Sequence, residues 1–283
     1  MFAVLPDHFS ASDQYVDDSY FSNAAAHGVG DYDSLWNDLV SHLNVPRLRR
    51  MIDLGAHGGR FLDIGCASGN LIEHAQKMDW ECFGVELSVA MRKRAEQRTG
   101  RPIFASIAEA KETGLRFDSI TMFGVIEHTE DPVATMREVS DLLAPGGMIS
   151  LSTPNFDCPY ALTGISGTAI NIWFIPPEHI SYFNRDTIAA CLTAAGLRIV
   201  AKDGIFGAWR AWAGDTSFPP WLTGALEPWR KGKRLRPGGL IGAFLKHAYA
   251  PARKPELYRR RDPADLSDCE VMEIYAVRGK NSR

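Results

Sequence analysis

Two acidic residues and two glycines in the first third of the chain have the types and the spacing expected of a nucleoside-binding turn. Asp63 comes shortly before Gly65, Gly69 follows Gly65, and Glu86 lies further along the chain. Glycines allow the backbone to turn sharply and to approach a ligand closely, and the carboxylate of Glu86 can accept hydrogen bonds from both hydroxyls of a ribose. The pattern therefore predicts a site for the nucleoside part of a ligand.

The residues around this turn predict the elements that position it. Residues 61–64 are apolar apart from Asp63 and are typical of a short buried strand, and the apolar residues after Asn70 have helical spacing. Residues 82–85 indicate a second strand, which Glu86 follows directly. A strand, a glycine turn, a helix and a strand that ends on an acid make up the first βαβ unit of a nucleoside-binding sheet.

The charge beside the turn indicates which ligand it holds. A dinucleotide site has the pattern Gly-x-Gly-x-x-Gly and places a pyrophosphate on the helix N-terminus, whereas this turn has the form Gly65-x-x-x-Gly69. Asp63 would repel a diphosphate, but it would attract the ammonium and sulfonium groups of S-adenosylmethionine. The pattern therefore favours S-adenosylmethionine over NAD.

Two later segments extend the pattern. Residues 117–132 read FDSITMFGVIEHTEDP, and residues 142–155 read LLAPGGMISLSTPN. Together with the glycine turn they make residues 59–200 similar to the class I S-adenosylmethionine-dependent methyltransferases. That family usually has a third glycine in the turn, where this chain has Ala67.

The resemblance implies a set of cofactor contacts, which includes Leu87 packed against the adenosine. It also implies that the N-terminal arm resembles the tyrosine-bearing lid that related enzymes fold over the cofactor; the alternative for this arm is an acidic tail without fixed structure. The adenine contact stays open, because the loop near Ile107 has no acid before Glu109. The implied contacts are Asp63, Gly65, Cys66, Gly69, Glu86, Leu87 and Phe123, with Tyr20 and Tyr32 from the arm.

Two histidines are candidate catalytic residues. His128 follows Glu127 at the carboxyl end of the predicted fourth strand, where ligands bind in sheets of this kind. His179 lies in the proline-stiffened segment PPEHISYF, and we expect this loop to lie over the acceptor pocket. An ordinary imidazole titrates near neutrality, which suits removal of a proton from a hydroxyl. A structural role in loop packing is the alternative for both histidines.

We expect no metal at this site. In the ubiquinone-pathway O-methyltransferases, which the chain resembles, an acid three residues before the Glu-His pair helps to bind a divalent metal. This chain has Gly124 at that position, so the ligand set is incomplete. The sequence therefore predicts activity that a chelator does not affect.

The order of the predicted elements indicates an α/β fold. Strands alternate with helices, which is typical of a mostly parallel sheet covered by helices on both faces. The resemblance implies a doubly wound, seven-stranded Rossmann-like sheet whose last strand is antiparallel. We assign that strand to residues 271–277, whose alternating pattern suits a sheet edge.

This order also predicts a division of the chain into four parts. Residues 1–45 form the N-terminal arm or lid, and residues 46–204 form the S-adenosylmethionine-binding α/β domain. Residues 205–266 form an insertion too long for a structureless loop, which we expect to be a cap or a docking subdomain. Residues 267–283 contain the last strand and a tail.

The net charge of −3 conceals two segments of opposite charge. Residues 1–40 contain seven Asp and no Lys or Arg, whereas residues 230–261 contain eleven Lys or Arg and a single acid, Glu256. The basic segment predicts a solvated surface, or a docking site for an acidic partner or an anionic membrane surface. Its charges are not interleaved with aromatic residues in a regular way, so we expect no nucleic-acid partner.

The cysteines and the hydropathy pattern favour a cytoplasmic protein. Five cysteines show neither paired nor metal-ligand spacing, which indicates reduced thiols. The sequence shows no signal peptide and no apolar run of about 18 residues, so we expect no segment that spans a membrane.

Three classes of function stay open at this point. The favoured class is a methyltransferase that acts on the hydroxyl of a small-molecule acceptor, such as a natural product, a quinone or a glycan. The second class comprises methyl transfer to RNA or protein, or to nitrogen or carbon of a small molecule. The third is a non-catalytic binding module on the same fold. Such a module would be expected to lose Glu86 or the glycine turn, and both are present.

Overall fold

The protein is described from a computed structural model, which describes residues 32–56, 58–158, 179–205, 259–261, 266, 269 and 271–279. The strands are β1 (Arg60–Ile64), β2 (Glu81–Val85), β3 (Ile103–Phe104), β4 (Phe117–Phe123), β5 (Leu143–Pro154), β6 (Leu197–Ile205), β7 (Arg259–Arg261) and β8 (Val271–Arg278). The helices are α1 (Tyr32–Asp53), α2 (Asn70–Gln76), α3 (Val89–Thr99), α4 (Ile107–Glu112), α5 (Pro132–Leu142) and α6 (Arg185–Ala194), with a 3-10 turn at Ile126–His128.

The strands form one sheet in the order β3-β2-β1-β4-β5-β8-β6-β7. Pairing is parallel from β3 across to β5, and β8 is antiparallel to both of its neighbours. The strand order reverses between β1 and β4, and in open α/β sheets ligands bind outside the carboxyl ends of the strands at such a point. The predicted α/β fold with a mostly parallel sheet is therefore confirmed.

Helices cover both faces of this sheet. Successive residues of a strand point to opposite faces, and Phe61 and Leu62 of β1 belong to two different apolar clusters. The cluster around Phe61 includes residues of α1, α2 and α3, whereas the cluster around Leu62 includes residues of α4, α5 and α6. All five cysteines are buried and no two of them form a disulfide, as expected for reduced thiols.

The last strand lies inside the sheet, and the expectation that it suits an edge is wrong. β8 pairs with β5 on one side and with β6 on the other. Both halves of its alternating pattern are buried, because the polar residue Glu273 forms an ion pair with Arg47 and is fully inaccessible to solvent.

The sheet also has one strand more than the seven predicted. β7 lies within residues 205–266, the predicted insertion, and pairs antiparallel with β6. Arg261 of this strand forms an ion pair with Asp53 at 2.9 Å. The other charged residues of segment 230–261 lie outside the described side chains, so the expected acidic or membrane partner stays a prediction.

Helix α1 starts inside the predicted arm. It runs from Tyr32 to Asp53 and contains Pro46, so the predicted boundary at residue 45 falls within a helix. Among the described residues, no helix combines the length and the apolar composition that crossing a bilayer requires.

Candidate active site

The glycine turn connects β1 to α2 and has no room for side chains at its two glycines. Gly65 has φ +72°, and a Cβ there would lie 2.5 Å from Cγ2 of Val125. Gly69 has φ +80°, and a Cβ there would lie 3.2 Å from the backbone of Ala95 on α3. The turn therefore packs directly against the segment after β4 and against α3, and both glycines are needed for the conformation that it adopts.

Ala67 shows why related proteins have a third glycine in the turn. Its φ is +44°, in the left-handed region that L-residues other than glycine rarely adopt. Its main-chain N–H donates to Oε2 of Glu86 at 2.8 Å. This conformation therefore links the turn to the acid at the end of β2.

Glu86 lies buried at the carboxyl end of the sheet and is held by main-chain donors. Besides the bond from Ala67, its Oε1 accepts from the N–H of Ser88 at 2.9 Å. Burial raises the pKa of this carboxyl, and the main-chain donors oppose that shift. The next residue, Leu87, has an exposed apolar side chain, and its contact with an adenosine stays a prediction.

Asp63 occupies the neighbouring strand and is also buried. The hydroxyl of Thr121 on β4 donates to its Oδ1 at 2.7 Å. Burial raises the pKa of Asp63 to about 7, and the negative charge of Glu86 adds to the shift, whereas Thr121 and Arg47 oppose it. A cationic ligand beside Asp63 would therefore stabilise the ionised carboxylate.

Cys66 is placed differently from the other turn residues. Its thiol packs in the apolar cluster with Leu71 and Ile72, and its burial raises the pKa well above the ordinary value. The contact of Cys66 with a cofactor therefore stays a prediction. Tyr20 and the side chain of Tyr32 lie outside the described residues, so the expected lid stays a prediction.

Arg47 is a residue of this region that the sequence did not reveal. Its guanidinium lies 4.2 Å from the ring centroid of Phe123, at the end of β4, and forms a buried ion pair with Glu273 of β8. Arg47 also favours the ionised form of Asp63. The sequence did contain one sign that Arg47 is buried. Arg47 and Arg50 are three residues apart, so they share a helix face, and they alternate with the buried residues Leu48 and Met51.

The structure brings both candidate catalytic histidines together. The rings of His128 and His179 have centroids 4.7 Å apart and are inclined by 68°. The main chain fixes this arrangement, because the carbonyl of Glu127 accepts from the N–H groups of Ile180 and Ser181, each at 3.0 Å. The hydroxyl of Tyr182 donates to the carbonyl of His179 at 2.7 Å.

Glu127 completes a three-residue cluster with these histidines. One potential ligand atom of each of Glu127, His128 and His179 lies within 4.8 Å of the other two. The carboxyl of Glu127 is buried, and burial raises its pKa to about 8. Its Oε2 has no hydrogen-bond partner among the described residues. Sequence reasoning found the three residues but not this contact, because His179 is distant from the pair along the chain.

Comparison with known proteins agrees with this geometry. Residues 37–202 match a family model described as "Methyltransferase domain". The chain belongs to this family. It is a class I methyltransferase, and its cofactor is S-adenosylmethionine.

The methyltransferase is similar to curated proteins named ubiquinone biosynthesis O-methyltransferase. The protein of Aeromonas salmonicida is 28% identical over 178 residues, which cover 59% of this chain and 75% of that protein. The protein of Ruegeria pomeroyi is 34% identical over 167 residues, which cover 54% of this chain and 66% of that protein.

Solved structures show the same fold at low sequence identity. A SAM-dependent methyltransferase from Archaeoglobus fulgidus superposes with a TM-score of 0.52 at 19% identity, covering 85% of this chain and 93% of that one. The magnesium protoporphyrin IX methyltransferase from Synechocystis with bound SAH has a TM-score of 0.53 at 15% identity, covering 95% and 100%.

Proposed function

We propose that this methyltransferase transfers the methyl group of S-adenosylmethionine to a hydroxyl oxygen of a small-molecule acceptor. Methyl transfer is an in-line displacement, for which positioning supplies much of the acceleration. A hydroxyl acceptor has an additional requirement, because its proton must leave during or before the transfer. The observation that carries the proposal is the cluster of Glu127, His128 and His179 at the carboxyl end of the sheet.

The position of this cluster suits an acceptor that meets the cofactor. Val125, two residues before Glu127, lies against Gly65 of the cofactor turn. Groups that can handle a proton therefore lie next to the turn that we assign to S-adenosylmethionine. The names of the curated relatives support transfer to oxygen and a small-molecule acceptor.

The acceptor is best sought without assuming its identity. Protein would be incubated with methyl-labelled S-adenosylmethionine and a metabolite extract, and labelled products identified by mass spectrometry. We expect a labelled methyl ether of a small molecule. Label on nitrogen, on carbon, on RNA or on protein would contradict the proposal.

Substitution of the two histidines tests the role of the cluster. At saturating cofactor we expect His128→Ala and His179→Ala each to lower kcat by about 100-fold or more, the range typical of lost proton-transfer groups. Calorimetry should give a nearly unchanged affinity for S-adenosylmethionine. His74→Ala is the matched control, since His74 lies on α2 away from the cluster. Normal turnover in both cluster variants would remove the assigned role.

A further inference from the structure

We propose that Glu127, His128 and His179 bind a divalent transition-metal ion of the zinc class. His179 would be the third ligand, in place of the acid that this chain does not have at Gly124. The inference rests on the proposed function, since it specifies how the same cluster would act on a hydroxyl acceptor. It differs from the sequence-based expectation of no metal, which considered Gly124 but not the position of His179.

The geometry of the three side chains is close to that of a ligand set. Their candidate ligand atoms lie within 4.8 Å of one another, whereas ligands of a tetrahedral zinc ion at ordinary bond lengths lie about 3.4 Å apart. Small rotations of the side chains would close this difference. Two hydrogen bonds from Ile180 and Ser181 to the carbonyl of Glu127 hold the loop of His179 against the 3-10 turn, which keeps the three side chains together.

The carboxylate of Glu127 provides an independent indication of a missing partner. The residue is 3% exposed, and its Oε2 accepts no hydrogen bond from the described part of the chain. A buried polar atom without a partner is costly and usually indicates an ion, a water or a catalytic role. A cation between Glu127 and the two imidazoles would supply that partner.

The position of the missing acid is also consistent with this arrangement. A Cβ on Gly124 would lie 3.9 Å from Oε1 of Glu127, and apart from its chain neighbours no other atom of the described residues would lie within 4 Å. A side chain at this position could therefore reach the same carboxylate. Gly124 itself offers no side-chain ligand, and in the described part of the chain the imidazole of His179 lies beside His128 instead.

The donor set indicates the class of metal. Magnesium prefers oxygen ligands in near-octahedral geometry, whereas imidazole suits zinc, iron, copper and nickel. Two imidazoles and one carboxylate form a common zinc ligand set that leaves a further coordination position open. A metal of this class, when bound, lowers the pKa of a coordinated hydroxyl.

The first test measures metal binding in the absence of any acceptor. The protein would be treated with a chelator, dialysed, and titrated with cobalt(II) while its visible absorption is recorded; retained zinc would be measured by elemental analysis. We expect one equivalent of metal and a cobalt spectrum with nitrogen ligands. His179→Ala and Glu127→Gln should weaken cobalt binding by at least about tenfold, whereas His74→Ala should leave it unchanged.

Calorimetry with S-adenosylmethionine shows whether each variant is folded, since none of the substituted residues belongs to the glycine turn or to the Glu86 site that we assign to the cofactor. A cobalt spectrum that His179→Ala does not alter, or tighter binding of magnesium than of cobalt, would overturn the proposal. Undiminished methylation of a hydroxyl by metal-free protein would also overturn it and would leave the proposed function intact. Metal binding without any hydroxyl methylation would leave the metal site intact and would overturn the proposed function.

Discussion

The hydrogen bonds of the Glu86 carboxylate allow a specific prediction about cofactor binding. Both of its oxygens accept a main-chain N–H, from Ser88 and from Ala67, and each has a further lone pair for a ribose hydroxyl. In Glu86→Gln an amide NH₂ replaces one acceptor oxygen and would face one of these donors. We expect the affinity for S-adenosylmethionine to fall by about 10- to 100-fold, the worth of one hydrogen bond to a charged group.

Glu81→Gln is the matched control for this measurement. Glu81 stands at the other end of the same strand, is exposed, and pairs with Arg60 on the surface. Calorimetry should therefore give the same cofactor affinity for Glu81→Gln as for the unchanged protein. Equal losses in both variants, or no loss in Glu86→Gln, would mean that the ribose does not bind at Glu86.

At the scale of single residues, the sequence predicted what depends on local spacing. Gly65 and Gly69 occupy the left-handed conformations that the motif implies, and Glu86 lies where the βαβ pattern requires. The contacts of Arg47 with Phe123 and of His179 with His128 could not be predicted in this way. Each joins elements that are distant in the chain, so it depends on how the elements pack.

At the scale of elements, helix α1 is attached to the sheet by buried ion pairs. Arg47 pairs with Glu273 of β8, and Arg50 pairs with Asp203 of β6 at 3.3 Å; both acids are fully buried. Removing one partner of a buried pair leaves the other charge without compensation, which typically costs about 3–5 kcal/mol. The pairs therefore specify where α1 lies, next to Asp63 and Phe123.

A double-mutant cycle on Arg47 and Glu273 tests this role. We expect Arg47→Met and Glu273→Gln each to lower the free energy of unfolding by about 3 kcal/mol, and the double variant to lose much less than the sum. Urea titration gives these values. Lys77→Met on the exposed pair of Lys77 and Glu73 should cost at most about 1 kcal/mol. Additive losses at Arg47 and Glu273 would contradict a coupled pair.

The same ion pair explains why the position of β8 could not be predicted from its pattern. Alternation of apolar and polar residues indicates a strand with one face toward solvent. In β8 the polar position is Glu273, and the charge that compensates it comes from α1, more than two hundred residues earlier in the chain. The succession of strands β1 to β6 along the chain could be predicted from the sequence, because each strand is a local apolar pattern between helical or turn-forming segments.

At the scale of the whole molecule, three buried acids lie at or near the carboxyl ends of strands in the sheet. Burial raises the pKa of Asp63, Glu86 and Glu127 alike. Each of these carboxyls binds its proton more tightly in the folded protein than in the unfolded chain. The stability that these three carboxyls remove at neutral pH must therefore be offset by the apolar core and by bound ligands.

Asp63 allows this cost to be measured. Its pKa rises from 3.8 in the unfolded chain to about 7 in the folded protein. Between these values the unfolded chain loses its proton first, so the free energy of unfolding should fall as the pH rises, and it should level off above about pH 7. The contribution is on the order of 1 kcal/mol per pH unit, and Asp63→Asn should remove it.

S-adenosylmethionine should oppose this fall, because its positive charges favour the ionised carboxylate of Asp63. Its affinity should therefore rise as the pH increases from about 5.5 to 7, and the rise should be absent in Asp63→Asn. Across this pH range, urea unfolding measures the free energy of unfolding and calorimetry measures the affinity for S-adenosylmethionine. Asp141→Asn is the control, since this exposed acid lies on α5 and pairs with Arg278. If Asp63→Asn had the same pH slopes as the unchanged protein, the proton at Asp63 would not link folding to cofactor binding.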